Sequence, residues 1–261
     1  MSVPAERLAS APRLPTEDEL PCDDGIPMET PRHRLQMELL IHTLEPWAAK
    51  RRDVFVSGNQ FLYFSADQLR GRDFRGPDVF VVRGIERRER KSWVVWEEGK
   101  GPDVVIELIS ESTAGLDKGS KKRIYQDQLR VPGYYWFDPF NPDDRAGFAL
   151  IEGNYVPLER DPEGCLPVPE LGLRLCLWQG EYIGVETTWL RWADNNGLLP
   201  LPEETERARA NSAEQRANTA EQRANTAQQH ADAERNRADL AEAELRRLRA
   251  ELAGLRGGDG T

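Results

Sequence analysis

The sequence predicts a mixed α/β (α+β) domain followed by a C-terminal α-helical coiled coil. Two observations predict this arrangement. First, a helix-type pattern, several strand-type runs, a second helix-type pattern and further strand-type runs follow one another up to about residue 200. Second, the chain from residue 203 is polar and alanine-rich and repeats every seven residues. Mixed helices and strands typically form a sheet covered by helices, whereas a sustained heptad is typical of a coiled coil.

The first 27 residues are rich in Pro, Glu and Asp and show no hydrophobic periodicity. Such a segment has too few apolar side chains to offset the entropy that it would lose on ordering. We therefore expect a disordered leader over residues 1–27 and a folded domain over residues 28–200.

The first helix-type pattern begins at Thr30 and Pro31, because threonine is a good N-cap and proline suits the first helical position. Pro46 is expected to end this helix, since proline lacks the N–H that a helix interior needs. The apolar face of the helix carries Met37, Leu40, Ile41 and Leu44.

Short β-branched or aromatic runs between Gly-Pro and charged turns predict the strands. The runs before residue 110 are VFVSGNQFLYF, PDVFVV, WVVW and DVVIELI. The later runs are YYWFD, GFALIE, NYVPLE and GLRLCLW. Between the two groups a helix is expected over residues 117–130, with Asp117 as its N-cap and Pro132 just beyond its end.

Residues 203–256 are expected to form the coiled coil. With Ala210 at position a and Ala213 at position d, the heptad continues to two leucine pairs, Leu245/Leu248 and Leu252/Leu255. Alanine side chains bury little area, so the leucine heptads should supply most of the association energy. The sequence therefore predicts a homo-oligomer and does not specify the number of chains. The alternative is a single, solvated, alanine-rich helix.

Composition limits the partners and the environment of the chain. The formal net charge is −10, yet residues 31–131 hold 19 Lys+Arg against 15 Asp+Glu, which permits a positive surface for a polyanion. The cysteines, Cys22, Cys165 and Cys176, form no C-x-x-C pair. Their spacing argues against a zinc site or a disulfide framework and favours a reducing compartment. No apolar leader or membrane-length run occurs, so we expect a cytoplasmic protein without membrane contact.

Two carboxylates adjoin predicted strands. Asp78 follows Gly-Pro and leads into VFVV, and Glu107 lies inside the apolar run of residues 104–109. A buried carboxylate needs a positive partner. If the two strands lie side by side, Asp78 and Glu107 could share one Mg²⁺, which prefers oxygen ligands. Asp103 is on the same strand face as Glu107. The alternatives are a turn residue at Asp78 and, at Glu107, a buried ion pair with an arginine.

Lys121 is the lysine that the sequence directs toward these carboxylates. Lys121, Tyr125 and Leu129 are spaced i, i+4, i+8 on the second helix and lie along one stripe. Tyrosine and leucine predict that this stripe faces the sheet, where Glu107 points. Lys118 and Lys122 form a separate row that is expected nearer solvent.

Four motifs follow one another along the predicted domain. In chain order they are PDVFVV, PDVVIELISEST, the D-x-G-x-K-x-x-x-Y pattern at Asp117, Gly119, Lys121 and Tyr125, and VPGYYWFDP. Their order resembles the Uma family of restriction-endonuclease-like proteins, within the PD-(D/E)XK phosphodiesterase superfamily. The resemblance runs from about residue 28 to about residue 200 and implies a restriction-endonuclease-like core with extra β-strands.

The resemblance also implies roles for individual residues. Asp78 and Glu107 are expected to be catalytic and, with the Leu108 carbonyl, to hold Mg²⁺ or Mn²⁺. The usual lysine position of the superfamily falls on Ile109, so the catalytic lysine is carried over to Lys121 on the following helix. The additional candidates are His33, Gln36 and Glu38 on the first helix, and Asp103.

The expected function is therefore a Mg²⁺-dependent endonuclease that hydrolyses phosphodiester bonds in nucleic acid, with DNA favoured over RNA. Lys121 would orient the attacking water and offset charge in the transition state. The alternative is a catalytically inactive nuclease-like module that acts as a coiled-coil interaction or scaffold protein. The weak basic surplus and the lack of a recognition motif favour the alternative, whereas the complete Asp78, Glu107 and Lys121 set favours the enzyme.

Overall fold

The computed structural model describes residues 13–22, 30–65, 68, 76–110 and 113–257. The chain forms two compact units, one ending at Pro202 and one beginning at Glu203. The first unit is a mixed α/β domain with two larger β-sheets and a two-stranded sheet. In the described part of the chain, no helix is long and apolar enough to cross a membrane.

Helix α1 spans Pro31–Ala49 and begins as the sequence predicts. The Thr30 hydroxyl accepts a hydrogen bond from the His33 N–H and caps the helix. The predicted end at Pro46 is wrong, because the helix continues through this proline to Ala49. A proline removes only one intrahelical hydrogen bond, and Ala48 in the last turn is fully buried in the core. Packing of that turn therefore outweighs the missing bond.

The main sheet has six strands in the order β1-β3-β5-β6-β7-β8. Its neighbours are antiparallel except for β5 and β6, which are parallel. The apolar runs of the sequence alternate between two cores, because successive strand residues point to opposite faces. The strands of this sheet are β1 (Val54–Ser57), β3 (Val79–Arg83), β5 (Val104–Leu108), β6 (Gly133–Phe137), β7 (Arg145–Ile151) and β8 (Asn154–Pro157).

One face of the main sheet packs on α1, with Val79 and Ile106 buried against Leu40 and Leu44. Leu40 and Leu44 are fully buried, and Met37 and Ile41 pack against the same core, so the predicted apolar face of α1 is confirmed.

The opposite face of the main sheet buries Phe80 and Val105 together with Tyr125 from the helical crossover. Glu107 shares this face with Val105, since the two are two residues apart on β5.

A helical crossover joins the parallel strands β5 and β6. It consists of α3 (Ala114–Leu116), a π-helical turn (Asp117–Lys121) and α4 (Lys122–Asp127); we call residues 114–127 the site helix. The predicted start of this helix, with Asp117 as N-cap, is wrong, because the helix begins three residues earlier and Asp117 lies buried inside its π-helical turn.

The two-stranded sheet pairs β2 (Leu62–Tyr63) with β4 (Trp93–Val94) in parallel. The run WVVW was predicted as a strand throughout, but its second half belongs to a short helix, α2 (Val95–Glu98). The four-residue run is thus shared between two elements.

Residues 13–22 lie within the predicted disordered leader, yet they pack on this small sheet. Leu20 is buried against Phe61 and Val94, and the Tyr63 hydroxyl donates a 2.6 Å hydrogen bond to the Pro21 carbonyl. One apolar side chain and a few backbone carbonyls are enough to hold this proline-rich segment. Residues 1–12 and 23–27 of the predicted leader lie outside the described residues.

The second sheet has the order β12-β11-β10-β9 and is antiparallel throughout. The sequence predicts β10 from GLRLCLW but not the long partner strand β11, whose outer half is polar. The strands are β9 (Leu166–Val168), β10 (Leu173–Tyr182), β11 (Val185–Asp194) and β12 (Gly197–Leu198).

Cys165 and Cys176 form a disulfide bond with their Cα atoms 4.4 Å apart. The β9–β10 register pairs Leu166 with Leu175, so its extension by one residue sets the two cysteines opposite each other. The expectation of no disulfide is therefore wrong. The spacing of the two cysteines does not predict this disulfide, because only the antiparallel pairing of β9 and β10 brings residues 11 positions apart into contact. The argument from cysteine spacing for a reducing compartment loses its basis.

Helix α5 spans Pro202–Gly257, which corresponds to about 84 Å at ~1.5 Å per residue. Every residue from Glu206 to Glu251 is exposed in the single chain. The helical nature of the tail is confirmed, and its pairing as a coiled coil stays a prediction.

Gln36 joins α1 to the second sheet through both ends of its amide. Its side-chain N–H donates to the Leu190 carbonyl and its oxygen accepts from the Leu190 N–H, both at 2.9 Å. Within the described residues β12 pairs only with Ala193 and Asp194, so at Leu190 the glutamine takes the place of a neighbouring strand.

Gln36→Ala should therefore lower the free energy of unfolding by about 2–4 kcal/mol, because two buried backbone groups lose their hydrogen bonds. Urea unfolding measures this loss. Arg34→Ala on the exposed side of the same helix is the control and should change stability by less than about 1 kcal/mol. Equal effects of the two substitutions would show that the Gln36 bridge contributes nothing.

Candidate active site

Asp78 and Glu107 lie side by side on one face of the main sheet. The β3–β5 register pairs Val79 with Ile106, and its extension by one residue places Asp78 opposite Glu107. The Asp78 carboxylate accepts a 2.7 Å hydrogen bond from the Leu108 N–H. Strand pairing and this backbone donor together fix the position of the first carboxylate at the carboxyl end of β5.

Glu107 is 1% exposed and has two partners from the site helix. Its Oε1 accepts a 2.9 Å hydrogen bond from the Tyr125 hydroxyl, and its Oε2 lies 3.3 Å from the Lys121 Nζ. Both partners belong to the stripe that the sequence predicts to face the sheet. Lys118 and Lys122 lie elsewhere, with their ammonium groups over the ring of Trp136.

Asp117 is a third carboxylate of the site, and sequence reasoning assigned it only to a helix cap. It is 1% exposed, and its Oδ1 lies 2.7 Å from the Lys121 Nζ. Asp117 and Lys121 are four residues apart in the π-helical turn, so their side chains lie on one side of the helix and meet there. The D-x-G-x-K spacing was the available signal, because it places an acid and a lysine at i and i+4.

Burial is the main cause of the raised pKa values of the carboxyl groups at this site. It raises the pKa of Glu107 to about 8, against the opposing effect of Lys121 and with further raising by Asp78 and Asp117. Burial also raises the pKa of Asp78 to about 6, although hydrogen bonds from Leu108 and Glu107 oppose the shift. Of the two carboxyl groups, Glu107 is the more deeply buried and has the pKa that is raised further.

Burial alone would lower the pKa of Lys121, but the Glu107 and Asp117 carboxylates outweigh it and raise that pKa above the usual lysine value. Lys121 is therefore a permanent cation at the site. Its side chain keeps 22% exposure, and Asp78 is half-buried, so this side of the cluster is reachable from solvent.

The additional candidates on α1 have other partners. The His33 ring nitrogens lie 2.8 Å from the Thr30 hydroxyl and 3.3 Å from the Ile109 carbonyl, so His33 supports the chain just beyond β5. Gln36 is bound to Leu190, as described above. Glu38 pairs with Arg34 on the exposed side of α1 at 2.6 Å.

Asp103 lies away from the acidic cluster, although it shares a strand face with Glu107. Four residues of extended strand separate the two by about 13 Å. Asp103 pairs with Lys100 at 2.8 Å and accepts a hydrogen bond from the Arg83 N–H. The structure thus brings together Asp78, Glu107 and Lys121, adds Asp117, and leaves Asp103 in a separate ion pair.

The donor set of the cluster suits a hard divalent cation. Three carboxyl groups face one lysine, so the fully ionised cluster has an excess of two negative charges. Oxygen-rich, negatively charged sites are those that Mg²⁺ and Mn²⁺ prefer. A cation there would offset the mutual repulsion of the carboxylates, which adds to the effect of burial on the pKa of Glu107.

Another group of residues with side chains of metal-ligand type, Asp161, Glu163 and Cys165, places its ligand-type atoms within 4.8 Å of one another. Arg174 pairs with Asp161 at 2.9 Å and with Glu163 at 2.6 Å. The Cys165 sulfur is committed to the disulfide. This group is an ion-paired turn, so the acidic cluster at β5 is the stronger candidate for a metal.

A family model described as "Uma2: Putative restriction endonuclease" matches residues 15–178, well over half of the chain. The chain belongs to the Uma2 family. The match contains all four residues of the cluster and confirms the resemblance predicted from the motifs. A crystal structure of a putative nuclease belonging to DUF820 from Anabaena variabilis is similar at 18% identity and a TM-score of 0.41, over 60% of this chain and 91% of that chain. No curated protein matches the sequence.

The raised pKa of Glu107 predicts a pH-dependent stability for the metal-free Uma2 protein. A carboxyl whose pKa is higher in the folded state stabilises the fold fully below its ordinary pKa of 4.5 and loses this contribution as pH rises through about 8. Urea unfolding in EDTA should therefore show stability falling between pH 4.5 and 8.

Glu107→Gln should make the unfolding free energy fall less steeply between pH 4.5 and 8, because the amide keeps the shape of the side chain and does not ionise. Glu45→Gln on α1 is the control and should keep the parental slope of unfolding free energy against pH. A Glu107→Gln slope equal to that of the parent would contradict the assigned effect of burial.

Proposed function

We propose that this Uma2 protein is a metal-dependent endonuclease that hydrolyses phosphodiester bonds in nucleic acid, with DNA as its substrate. One observation carries the proposal: a buried cluster of three carboxyl groups and one lysine at the carboxyl end of β5. Family membership supports the nuclease class. The acidic excess of the cluster supports the dependence on a metal.

Asp78 and Glu107 are the proposed metal ligands, with the Leu108 carbonyl as a third. Mg²⁺ or Mn²⁺ bound there would polarise the scissile phosphate and lower the pKa of a bound water. The chain prepares the ligands in advance: the Leu108 N–H holds Asp78, and the Tyr125 hydroxyl holds Glu107. Ligands fixed in this way need little reorganisation when a cation binds.

Lys121 is the proposed third catalytic residue. Its ammonium group is held by Glu107 and Asp117 and stays charged at all working pH values. A fixed cation beside the reacting phosphate would orient the attacking water and stabilise the charge that develops in the transition state. Asp117 would then act on the reaction only by positioning Lys121.

The inactive scaffold is a second candidate function, and one observation favours it. Lys121 already neutralises two buried carboxylates, as a purely structural counter-ion would do. A module of this kind would use the cluster to stabilise the fold and would act through the tail.

Binding of Mn²⁺ to the full chain tests the proposed ligands. Asp78→Asn should weaken the affinity by at least about 10², since loss of a ligand costs more than loss of an outer-shell partner. Isothermal titration calorimetry measures the affinity. Asp103→Asn is the matched control, an aspartate on the same sheet face that should leave the affinity unchanged. Parental affinity in Asp78→Asn would eliminate Asp78 as a ligand.

Lys121→Met distinguishes the enzyme from the scaffold. For the enzyme, turnover on supercoiled, linear and single-stranded DNA should fall by about 10²–10³ while metal affinity changes little. For the structural counter-ion, the loss should appear as about 3–5 kcal/mol of unfolding free energy and not as rate.

Lys122→Met is the control for this pair, because Lys122 lies over the Phe148 ring at 3.2 Å and away from the carboxylates. It should change neither rate nor metal affinity by more than about twofold. Cleavage by Lys121→Met at the parental rate would remove Lys121 from the catalytic set.

We also propose that residues 203–256 associate with further copies of the chain. Removal of residues 203–261 should leave a folded domain and reduce the particle mass measured by light scattering, because the second unit carries the heptads. An unchanged number of chains per particle, calculated from the measured mass, would refute association through the tail. The cytoplasmic location stays a prediction from the sequence.

A further inference from the structure

Helix α5 carries an apolar stripe whose described leucines are exposed. Leu245 and Leu248 are 53% and 46% exposed. They continue the heptad that begins at Ala210, with alanine at all but one of the preceding a and d positions. Leucine side chains at consecutive a and d positions, both exposed, are the expected state of one strand of a coiled coil seen without its partner.

The charged residues beside this stripe identify that partner. In a parallel, in-register pair of helices, each g position faces the e position five residues later on the other helix. Four such pairs between copies of this chain join opposite charges. The first three are Arg209 with Glu214, Arg216 with Glu221, and Arg237 with Glu242. The fourth, Glu244 with Arg249, has the signs reversed.

Two further g–e pairs lie in the middle of the helix. Arg223 faces Gln228, which is neutral, and His230 faces Arg235, so neither pair joins opposite charges. The complementary pairs therefore flank a weaker central segment.

The sign reversal fixes the register. A shift of one heptad would place Arg237 of one helix against Arg249 of the other, and on the opposite side Glu244 against Glu242. Like charges at these positions are unfavourable. The charge pattern therefore favours zero offset between the two copies.

The leucine layers disfavour antiparallel pairing. In an antiparallel pair of full overlap the e positions face each other, which sets Glu221 near Glu242 but also Glu214 near Arg249, so the charges favour neither orientation strongly. That arrangement would pack the leucine layers against alanine layers, whereas parallel pairing packs Leu245 on Leu245 and Leu248 on Leu248. Matched leucine layers bury more apolar area in one place.

Existing contacts within the single helix do not prevent this pairing. Arg209 and Arg237 pair with Glu206 and Glu234 at 2.7 and 2.9 Å, and these side chains are about 70–77% exposed. Exposed ion pairs of this kind contribute little and exchange partners readily. Arg237 can also neutralise Glu234, the acidic residue at a d position.

We propose that α5 pairs with a second copy of this chain as a parallel, in-register, two-stranded coiled coil, with partner choice set by the g–e ion pairs. Two strands are favoured because alanine knobs let two helices approach closely but would leave the wider centre of a larger bundle unfilled. The proposal rests on the proposed association of residues 203–256. Because each Uma2 domain precedes its tail, it places both domains at the same end of the coil.

A charge-exchange experiment on the full chain tests the pairing. The e variant carries Glu214→Arg, Glu221→Arg and Glu242→Arg, and the g variant carries Arg209→Glu, Arg216→Glu and Arg237→Glu. Each variant alone should show a dimer Kd at least about tenfold above that of the parent, because six attractive pairs per dimer become repulsive. An equimolar mixture of the two should form a heterodimer with nearly the parental Kd, measured by sedimentation with one chain fluorescently labelled.

The proposal would be overturned if both variants alone dimerised with the parental Kd. It would also be overturned if the mixture had a Kd no lower than that of either variant alone. A parent that sediments as a single chain at all concentrations would overturn the underlying association as well. Neither result depends on nuclease activity, so the outcome is separate from the test of the catalytic cluster.

Cysteine cross-linking tests the orientation, in a Cys22→Ser background that removes the free, exposed thiol. Ala217→Cys lies at an a position, so mild oxidation should link two copies through this residue in the parallel pair. In the antiparallel pair Ala217→Cys would instead link to Leu248→Cys of another copy. Cross-linking of the mixture only, with no Ala217→Cys homodimer, would overturn the parallel arrangement.

Discussion

The buried carboxylate of Glu107 is the constraint on which the rest of the site depends. An ionised group inside an apolar strand is tolerated only with partners placed in advance. The site helix supplies them, the Tyr125 hydroxyl at 2.9 Å and the Lys121 ammonium at 3.3 Å. The parallel step from β5 to β6 requires a crossover, and the crossover is the element that delivers both groups. The connection that the sheet topology requires therefore also supplies both partners of Glu107.

The acidic residues around Lys121 give this lysine two possible roles. Without a cation, Lys121 is a counter-ion for Glu107 and Asp117. With the proposed metal bound, the cation would neutralise part of the carboxylate charge, and the lysine would be available to the substrate. The same arrangement would then stabilise the fold in one state and support the proposed catalysis in the other. The two functions proposed for the chain differ in which of these states matters.

Residue type and spacing along the chain predict the features that are determined by neighbouring residues. The Thr30 cap, the apolar face of α1, most strands and the stripe of Lys121 and Tyr125 follow from residue type and spacing. The differences have tertiary causes. Helix α1 continues past Pro46 because Ala48 in its last turn is buried in the core. Residues 13–22 contact the small sheet through the buried side chain of Leu20.

The disulfide and Asp117 escaped prediction for a related reason. Cys165 and Cys176 meet only through the register of two strands, and β11 was too polar along half its length to be recognised. Asp117 fits a helix cap by residue type, and only the i, i+4 spacing to Lys121 indicates that it lies inside the helix beside the lysine. Strand register and helix type are set by packing across the domain, so a single sequence carries a weak signal for either.

The π-helical turn at Asp117–Lys121 makes the site sensitive to chain length as well as to residue type. Removing one residue there would allow an ordinary α-helix, but every later position would rotate by about 100° around the helix axis. Tyr125 would then leave Glu107, and the apolar stripe would turn away from the sheet. Substitutions on the outer surface of this helix can accumulate freely, whereas insertions and deletions within it cannot. The number of residues between Glu107 on β5 and Asp117 in this turn is thus fixed by the structure of the site.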